Sequence, residues 1–425
     1  MTPSSGWPRR PILLPAGAAI AGAIFAAGLL RKGVVMGPDS WAYWEGSVSL
    51  IESGRYEYFG GEPITSFPPL FSWVLALFQT ALGISTRTLA IAVVMVVAAA
   101  SAGWMSLYVV LTSERPRQRL MDAMPLLYVP ATLAVYAQVL LSETVWHALL
   151  PLVLLPALAP ARPGAWRGWE YLRPVAICVT LALLLLCRNA TVALLPGLLL
   201  MLVLTGSGRP VMRGLTGAVA IAGALLPWYW IRRSLTQLAN HPIGTSHSGV
   251  LENATEVLGG LTYAFGPSRA YVGTVLCGAA CALLVWDLAS EDSGARRPRL
   301  ALLAFALLGL VGLVGIFSAT HVGEPLAGRF VVFAVLSMAL VVFAGGPLRP
   351  VGVRRHAVAA VGVVLTLVAL YRVGIKYTLA GREQEATPLN VWISSSYSSG
   401  PPQPSGGQVL VAPPAYPWMQ RGGRR

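Results

Sequence analysis

Long apolar runs, each closed by a short polar break, recur from one end of the chain to the other. They lie near 11–30, 88–112, 123–142, 144–161, 174–187, 189–207, 214–231, 270–288, 300–319, 330–347 and 357–371. A helix needs roughly 20 apolar residues to cross the hydrocarbon of a bilayer. The pattern therefore predicts an all-α, polytopic integral membrane protein with about 11 transmembrane helices, range 10–13. The first run reads as a retained helix with its N-terminus in the cytoplasm, because no small-residue cleavage site follows before Asp39 and further spans come later. Only Arg188 and Asn189 separate the runs 174–187 and 189–207.

Two segments depart from this pattern. PPLFSWVLALFQTAL, 68–82, is short for a span and opens on two prolines. If it does not cross, the breaks at 114–119, 161–173, 208–213, 295–299 and 348–355 all face the cytoplasm, and each holds at least two arginines. That is the arrangement the positive-inside rule expects. The segment then reads as interfacial or re-entrant, and 33–87 becomes one outward-facing loop. Earlier in this loop, Trp41, Trp44, Val48 and Ile51 recur at helical spacing. They predict an interfacial helix over 39–53 with this face on the lipid, Asp39 toward polar space, Glu45 nearer the flank and a stop at Gly54. The first domain is 1–371, with 232–269 as its second large outer loop. The tail 372–425 is placed outside; it is Ser/Gly/Pro-rich from about 385 and has too few clustered apolar residues for a core of its own.

Composition agrees with the pattern. Of 425 residues 55% are hydrophobic and 11% charged, against about 25% charged in soluble proteins. The net charge of +14 sits mostly in short arginine-bearing breaks, so it gives no reason to invoke nucleic acid. Cys178, Cys187, Cys277 and Cys281 lie in or beside apolar runs without metal-ligand company. The sequons at 189–191 and 253–255 are read as chance occurrences. No phosphate-cradling glycine loop, dinucleotide fingerprint or zinc-protease helix is present.

Candidate chemistry gathers at the predicted outer ends of the helices. Asp39 heads its helix behind Gly37 and Pro38, either as a cap or as a carboxylate that takes a proton from an acceptor hydroxyl. Glu143 lies between two apolar runs, where a carboxylate is expensive and turns to a cavity or partner, unless it is a simple outer-turn residue. His147, one turn on, reads as a packing residue. Arg188 either snorkels or binds a lipid-linked phosphate with its planar fork. His321, Glu324 and Arg329 share the stretch SATHVGEPLAGRFVVF, where an outer arginine invites a phosphate or an ion pair. Arg232 and Arg233 stand at another outer boundary. Together these arginines suit an anionic, membrane-embedded ligand.

The layout resembles the membrane glycosyltransferases of the GT-C fold. It looks closest to the bacterial protein-mannosyltransferase and lipid A aminoarabinose-transferase group, glycosyltransferase family 39-like. The likeness runs through PDSWAYWEGSVSLIESGRY (38–56), SFPPLFSWVLALFQTALGIS (66–85), LLSETVWHALLPLVLLP (140–156), CRNATVALLPGLLL (187–200) and EPLAGRFVVFAVL (324–336). It implies a polyprenyl-phosphate-linked sugar as donor, a lipid, glycan or protein as acceptor, and a multi-pass bacterial plasma-membrane enzyme working at the outer face among membrane lipids. Asp39 and Glu143 fall on acidic positions of the family, Asp39 as general base. Arg188 and Arg329 would hold the phosphate, His321 and Glu324 would stand beside it, and Tyr43 and Trp44 would pack on the isoprenoid or sugar. Some relatives carry a further acid close to the first; here Gly37 and Trp41 are not acidic, so a divalent metal is not indicated by a paired acid and no cofactor is assigned. A solute or lipid transporter and a non-catalytic envelope-assembly protein are the alternative classes. A transporter would show internal repeats, whereas a scaffold would tolerate the loss of Asp39.

Overall fold

The computed structural model describes residues 10–31, 34, 38–65, 67–112, 119–137, 142–158, 168–205, 210–236, 249–265, 278, 282, 293–319, 331–344 and 352–386. Helix α1 (Arg10–Leu29) packs on α4 (Thr86–Leu111) and α5 (Arg119–Tyr136). Between α1 and α4 come two shorter helices, α2 (Pro38–Glu52) and α3 (Leu70–Leu82). Helix α6 (Ser142–Leu158) lies against α4 and α7 (Gly168–Cys187). A 3-10 helix (Asn189–Leu194) leads into α8 (Leu195–Thr205), then α9 (Pro210–Thr236) and α10 (Val250–Phe265). The chain closes with α11 (Ser293–Ala319), α12 (Val332–Ala344) and α13 (Gly352–Ala386). The protein is a multi-pass, all-α membrane protein.

Five helices contain stretches long and apolar enough to cross a membrane: Ile12–Leu29, Arg87–Leu111, Pro210–Ile231, Arg297–Ser318 and His356–Ile375. Five further apolar helices are shorter, so the expected count of about eleven spans is met only in part. The expected run 270–288 falls outside the described residues apart from two helical positions. Every residue of α12 is buried, which makes this short, uniformly apolar helix a central element.

Several sequence expectations change. The break 161–173 is partly helix, because α7 begins at Gly168, and 295–299 lies wholly within α11. Arg173 donates to the carbonyl of Ala157 at 2.7 Å, and Arg299 to that of Val341 at 3.1 Å. Each arginine thus serves the carbonyl end of a neighbouring helix, where unsatisfied acceptors and the dipole favour a cation. Helix α13 continues past the expected run 357–371 to Ala386. Within the stretch 232–269, α9 runs on to Thr236 and α10 occupies Val250–Phe265. Both sequon asparagines are engaged: Asn189 Oδ1 accepts from Trp228 Nε1 at 3.0 Å, and buried Asn253 donates to Ser318 Oγ at 3.0 Å.

The 3-10 helix and α8 approach α11 closely at glycines. A Cβ on Gly197 would stand 2.8 Å from the Phe305 carbonyl oxygen and 3.0 Å from its Cα. These are backbone atoms, so the overlap is not relieved by a side-chain rotation. Gly197→Ala is expected to destabilise the protein by roughly 1–3 kcal/mol, the usual range for overpacking, read as a lower melting temperature in detergent. An unchanged melting point would mean that the two helices are free to separate.

Candidate active site

Between α1 and α4 the chain folds as a helix, a hairpin and a second helix. Helix α2 ends at Glu52, and Gly54 takes φ +73°, a conformation other residues rarely adopt. The chain then doubles back: Tyr58 N donates to Glu62 O at 2.8 Å, and Ile64 N to Tyr56 O at 3.2 Å. Pro69 precedes α3, and Gly83, with φ +85°, ends it. Ser85 caps α4 by accepting from Thr88 N at 3.0 Å.

Helix α3 turns Phe71, Ser72, Leu75 and Gln79 inward. Leu77, 70% exposed, and Trp73, 43% exposed, lie on the other side. Two of the inward residues are polar and bind α2. Ser72 Oγ donates to the Tyr43 carbonyl at 2.9 Å, and Gln79 Nε2 donates to Ser47 Oγ at 3.1 Å. Outward apolar residues and inward hydrogen bonds suit a helix lying at a lipid boundary against protein.

The aromatic face of α2 does not rest on lipid as the spacing suggested. Trp41, Trp44 and Val48 are buried in the protein, while Ile51, the fourth position of that face, is exposed. Trp41 and Trp44 lie 5.5 Å apart, and Phe59 from the hairpin packs edge-on against both, at 6.3 and 5.3 Å. Tyr43 is flanked edge-on by Phe67 and Phe71 at 5.2 and 5.1 Å. Helical spacing identifies an apolar face but not the apolar partner it meets. The hairpin and α3 provide that partner here.

Glu45 faces inward with this cluster. Its carboxylate accepts from Phe59 N at 3.0 Å. Burial pushes its pKa up to about 7, against the lowering effect of that hydrogen bond. The folded-state pKa lies above the unfolded one, so stability is fully present below about pH 4.5 and is lost as pH rises through 7. The shift corresponds to an order of 3 kcal/mol. Glu45→Gln keeps an acceptor and removes the titration. Its stability advantage over wild type is expected to grow between pH 5 and pH 8 in melting curves. A constant difference across that range would rule out the titration.

A polar chain then joins α2 to the transmembrane helices. Tyr43 Oη donates to Ser142 Oγ at 2.9 Å. Burial raises the Tyr43 pKa well above the ordinary phenol value, with Arg188 pulling it down less strongly, so the phenol stays neutral. Ser142, the first residue of α6, also accepts from Arg188 Nη1 at 3.1 Å and lies 3.4 Å from Glu143 Oε2. Arg188 Nη1 and Glu143 Oε2 form an ion pair at 2.5 Å, with the side chains 13% and 10% exposed. Arg188 is placed by a break in the helix. It is extended (φ −156°, ψ 125°) between α7 and the 3-10 helix, and its N–H still bonds to Leu184 O at 2.9 Å. Cys187 Sγ meets the Ser142 carbonyl at 3.3 Å, and Trp146 Nε1 donates to Thr191 Oγ1 at 2.9 Å, fixing α6 against that break.

Glu143, Trp146, Arg188, Leu194, Leu313 and Phe333 face a narrow pocket, polar at one end and apolar at the other. Thus Glu143 and Arg188, read separately from the sequence, form one charged pair. Asp39 stands in the first turn of α2, one turn ahead of Tyr43; its side chain lies outside the described residues. His321, Glu324 and Arg329 also lie outside them. His147 is a packing residue, buried beside Trp104 and Trp146. Ser142 was missed, although a serine directly before an acid at the head of an apolar run is a helix-start signal. Among the described residues no group of three His, Cys, Asp or Glu stands together as a metal site.

No family model and no curated protein matches the sequence. Among solved structures, the chain is similar to ArnT from Cupriavidus metallidurans in the apo state, with a TM-score of 0.54 at 18% identity. That match covers 77% of this chain and 58% of the other. It is likewise similar to the same protein bound to undecaprenyl phosphate, with a TM-score of 0.52 at 18% identity, covering 79% of this chain and 59% of the other. The chain spans about three fifths of the length of these proteins. The shared fold is GT-C-like; no match singles out the family 39-like group.

Proposed function

We propose that the protein is an inverting glycosyltransferase that moves a sugar from a polyprenyl-phosphate donor to an acceptor hydroxyl at the outer face of the bacterial plasma membrane. The reading is carried by the hydrogen-bonded chain from Tyr43 through Ser142 to the Glu143–Arg188 pair. It ties the helix that bears Asp39 to a cation at the edge of an amphiphilic pocket. A GT-C-like fold supports it, as does the undecaprenyl phosphate bound by the similar ArnT.

In this reading the acceptor oxygen attacks the anomeric carbon from the side opposite the phosphate. The bond from that carbon to the phosphate oxygen breaks, and its electron pair leaves on the polyprenyl phosphate. The acceptor proton passes to the Asp39 carboxylate, which needs only to receive it as the new bond forms. Arg188 stabilises the charge gathering on the leaving phosphate, and Glu143 with Ser142 holds its guanidinium in place rather than acting on the sugar. Arg329, His321 and Glu324 lie on the chain joining α11 to α12, and Leu313 and Phe333 from those helices face the same pocket. This favours the three as further donor contacts. Tyr43 and Trp44, enclosed by protein, shape the wall of the site.

Incubating the purified protein with a panel of polyprenyl-phosphate sugars and lipid, glycan and peptide acceptors tests the proposal. A product whose mass rises by one sugar, with the anomeric configuration inverted, is expected. Retained configuration, or no transfer from any donor in the panel, would count against it.

A further inference from the structure

Tyr43 reaches from α2 toward the charged pair through Ser142, ninety-nine positions along the chain. Its ring has little freedom. Phe67 and Phe71 flank it edge-on, its carbonyl accepts from Ser72 Oγ at 2.9 Å, and only 3% of its surface is exposed. A side chain so enclosed has no ring face left for a sugar or an isoprenoid to stack on. Ser142 is fully buried as well. A serine hydroxyl accepts twice and donates once. Arg188 Nη1, a donor only, takes one lone pair at 3.1 Å, and the Tyr43 hydroxyl takes the other at 2.9 Å. The serine proton is then left for the Glu143 carboxylate, 3.4 Å away. This arrangement gives each of the three contacts a donor and an acceptor, and the phenol completes it.

The consequence is geometric. In an inverting displacement the base acts on the attacking oxygen and the cation on the departing one, so their separation must suit both at once. Asp39 stands on α2, one turn before Tyr43, whereas Arg188 sits in the break between α7 and the 3-10 helix. We propose that Tyr43 is a positioning residue: its hydroxyl, through Ser142, fixes the register of α2, and with it Asp39, against Arg188. It touches neither donor nor acceptor. The effect on turnover rests on the glycosyltransferase reading; the linkage of α2 to α6 does not.

Hydrogen exchange of the 38–52 amides in the full chain tests the linkage without turnover. In Tyr43→Phe, which keeps the ring between Phe67 and Phe71, these amides are expected to exchange about fivefold faster, the factor that one net hydrogen bond controls. Ser142→Ala is expected to do the same from α6. The double variant is expected to exchange no faster than Ser142→Ala, because the bond is already gone. With a productive donor, Tyr43→Phe is expected to lower kcat by about ten- to a hundredfold, the scale of a misplacement of ~1 Å, and to leave KM for the donor unchanged. A residue that only stabilised the fold would lower the melting temperature and leave kcat as it was, and one in contact with the donor would raise KM. Unchanged exchange over 38–52 in both single variants, or an unchanged kcat in Tyr43→Phe, would overturn the proposal. No transfer by wild type would overturn the glycosyltransferase reading and the role in turnover together, while the exchange result would still decide the linkage.

Discussion

Asp39→Asn is expected to lower sugar transfer by about a thousandfold, within the range a general base contributes, while the protein remains folded in the membrane. Asparagine has nearly the shape of aspartate and still accepts a hydrogen bond, but it takes no proton at neutral pH. Tyr43 and Ser47, beyond the first turn of α2, tie it to Ser142 and to Ser72 and Gln79 of α3. The melting temperature in detergent is therefore expected to stay close to that of wild type. The loss should fall on the chemical step, with donor affinity little changed, because the proposed mechanism gives the phosphate to arginines rather than to Asp39. Single-turnover transfer with the productive donor separates the two. Transfer within tenfold of wild type would remove Asp39 as the base.

Arg188→Ala is expected to cost both stability and activity. It leaves the Glu143 carboxylate buried without its cation and takes a donor from Ser142. Breaking a buried pair by removing one member costs about 3–5 kcal/mol, chiefly from the uncompensated charge. The double variant Glu143→Gln with Arg188→Gln removes both charges and is expected to recover most of that stability. It is not expected to recover transfer if Arg188 serves the donor phosphate as proposed. Melting temperatures of Glu143→Gln, Arg188→Gln and the double variant give the coupling directly. Additive losses would mean that the pair is not coupled, and full transfer by the double variant would exclude Arg188 from the donor site.

Much of the fold was legible because a lipid-facing helix must advertise itself. The runs near 11–30, 88–112, 214–231, 300–319 and 357–371 each reappear within a helix. The prolines at 68 and 69 and the glycine at 54 placed their helix ends within a residue or two. Ends were less legible where arginines intervened, as at 168–173 and 293–299. Charge reads as loop in a sequence, yet a helix tolerates arginine when a neighbouring carbonyl end receives it. The inward face of α3 was readable in principle: Ser72 and Gln79, seven residues apart, are polar exceptions in an apolar run. The pairing of Tyr43 with Ser142, ninety-nine positions away, had no such signal.

The sequence by itself determined the solvent of this protein, the helical class and the residue types able to do chemistry. Each follows from local rules, since a bilayer demands apolar length and internally bonded backbone. Only the tertiary structure decided what those residues meet. It put Trp41 and Trp44 inside the protein rather than on lipid, and it joined Glu143 to Arg188 across a broken helix. Helical periodicity specifies a face, whereas the partner of a buried aromatic or charge is set by packing between distant segments.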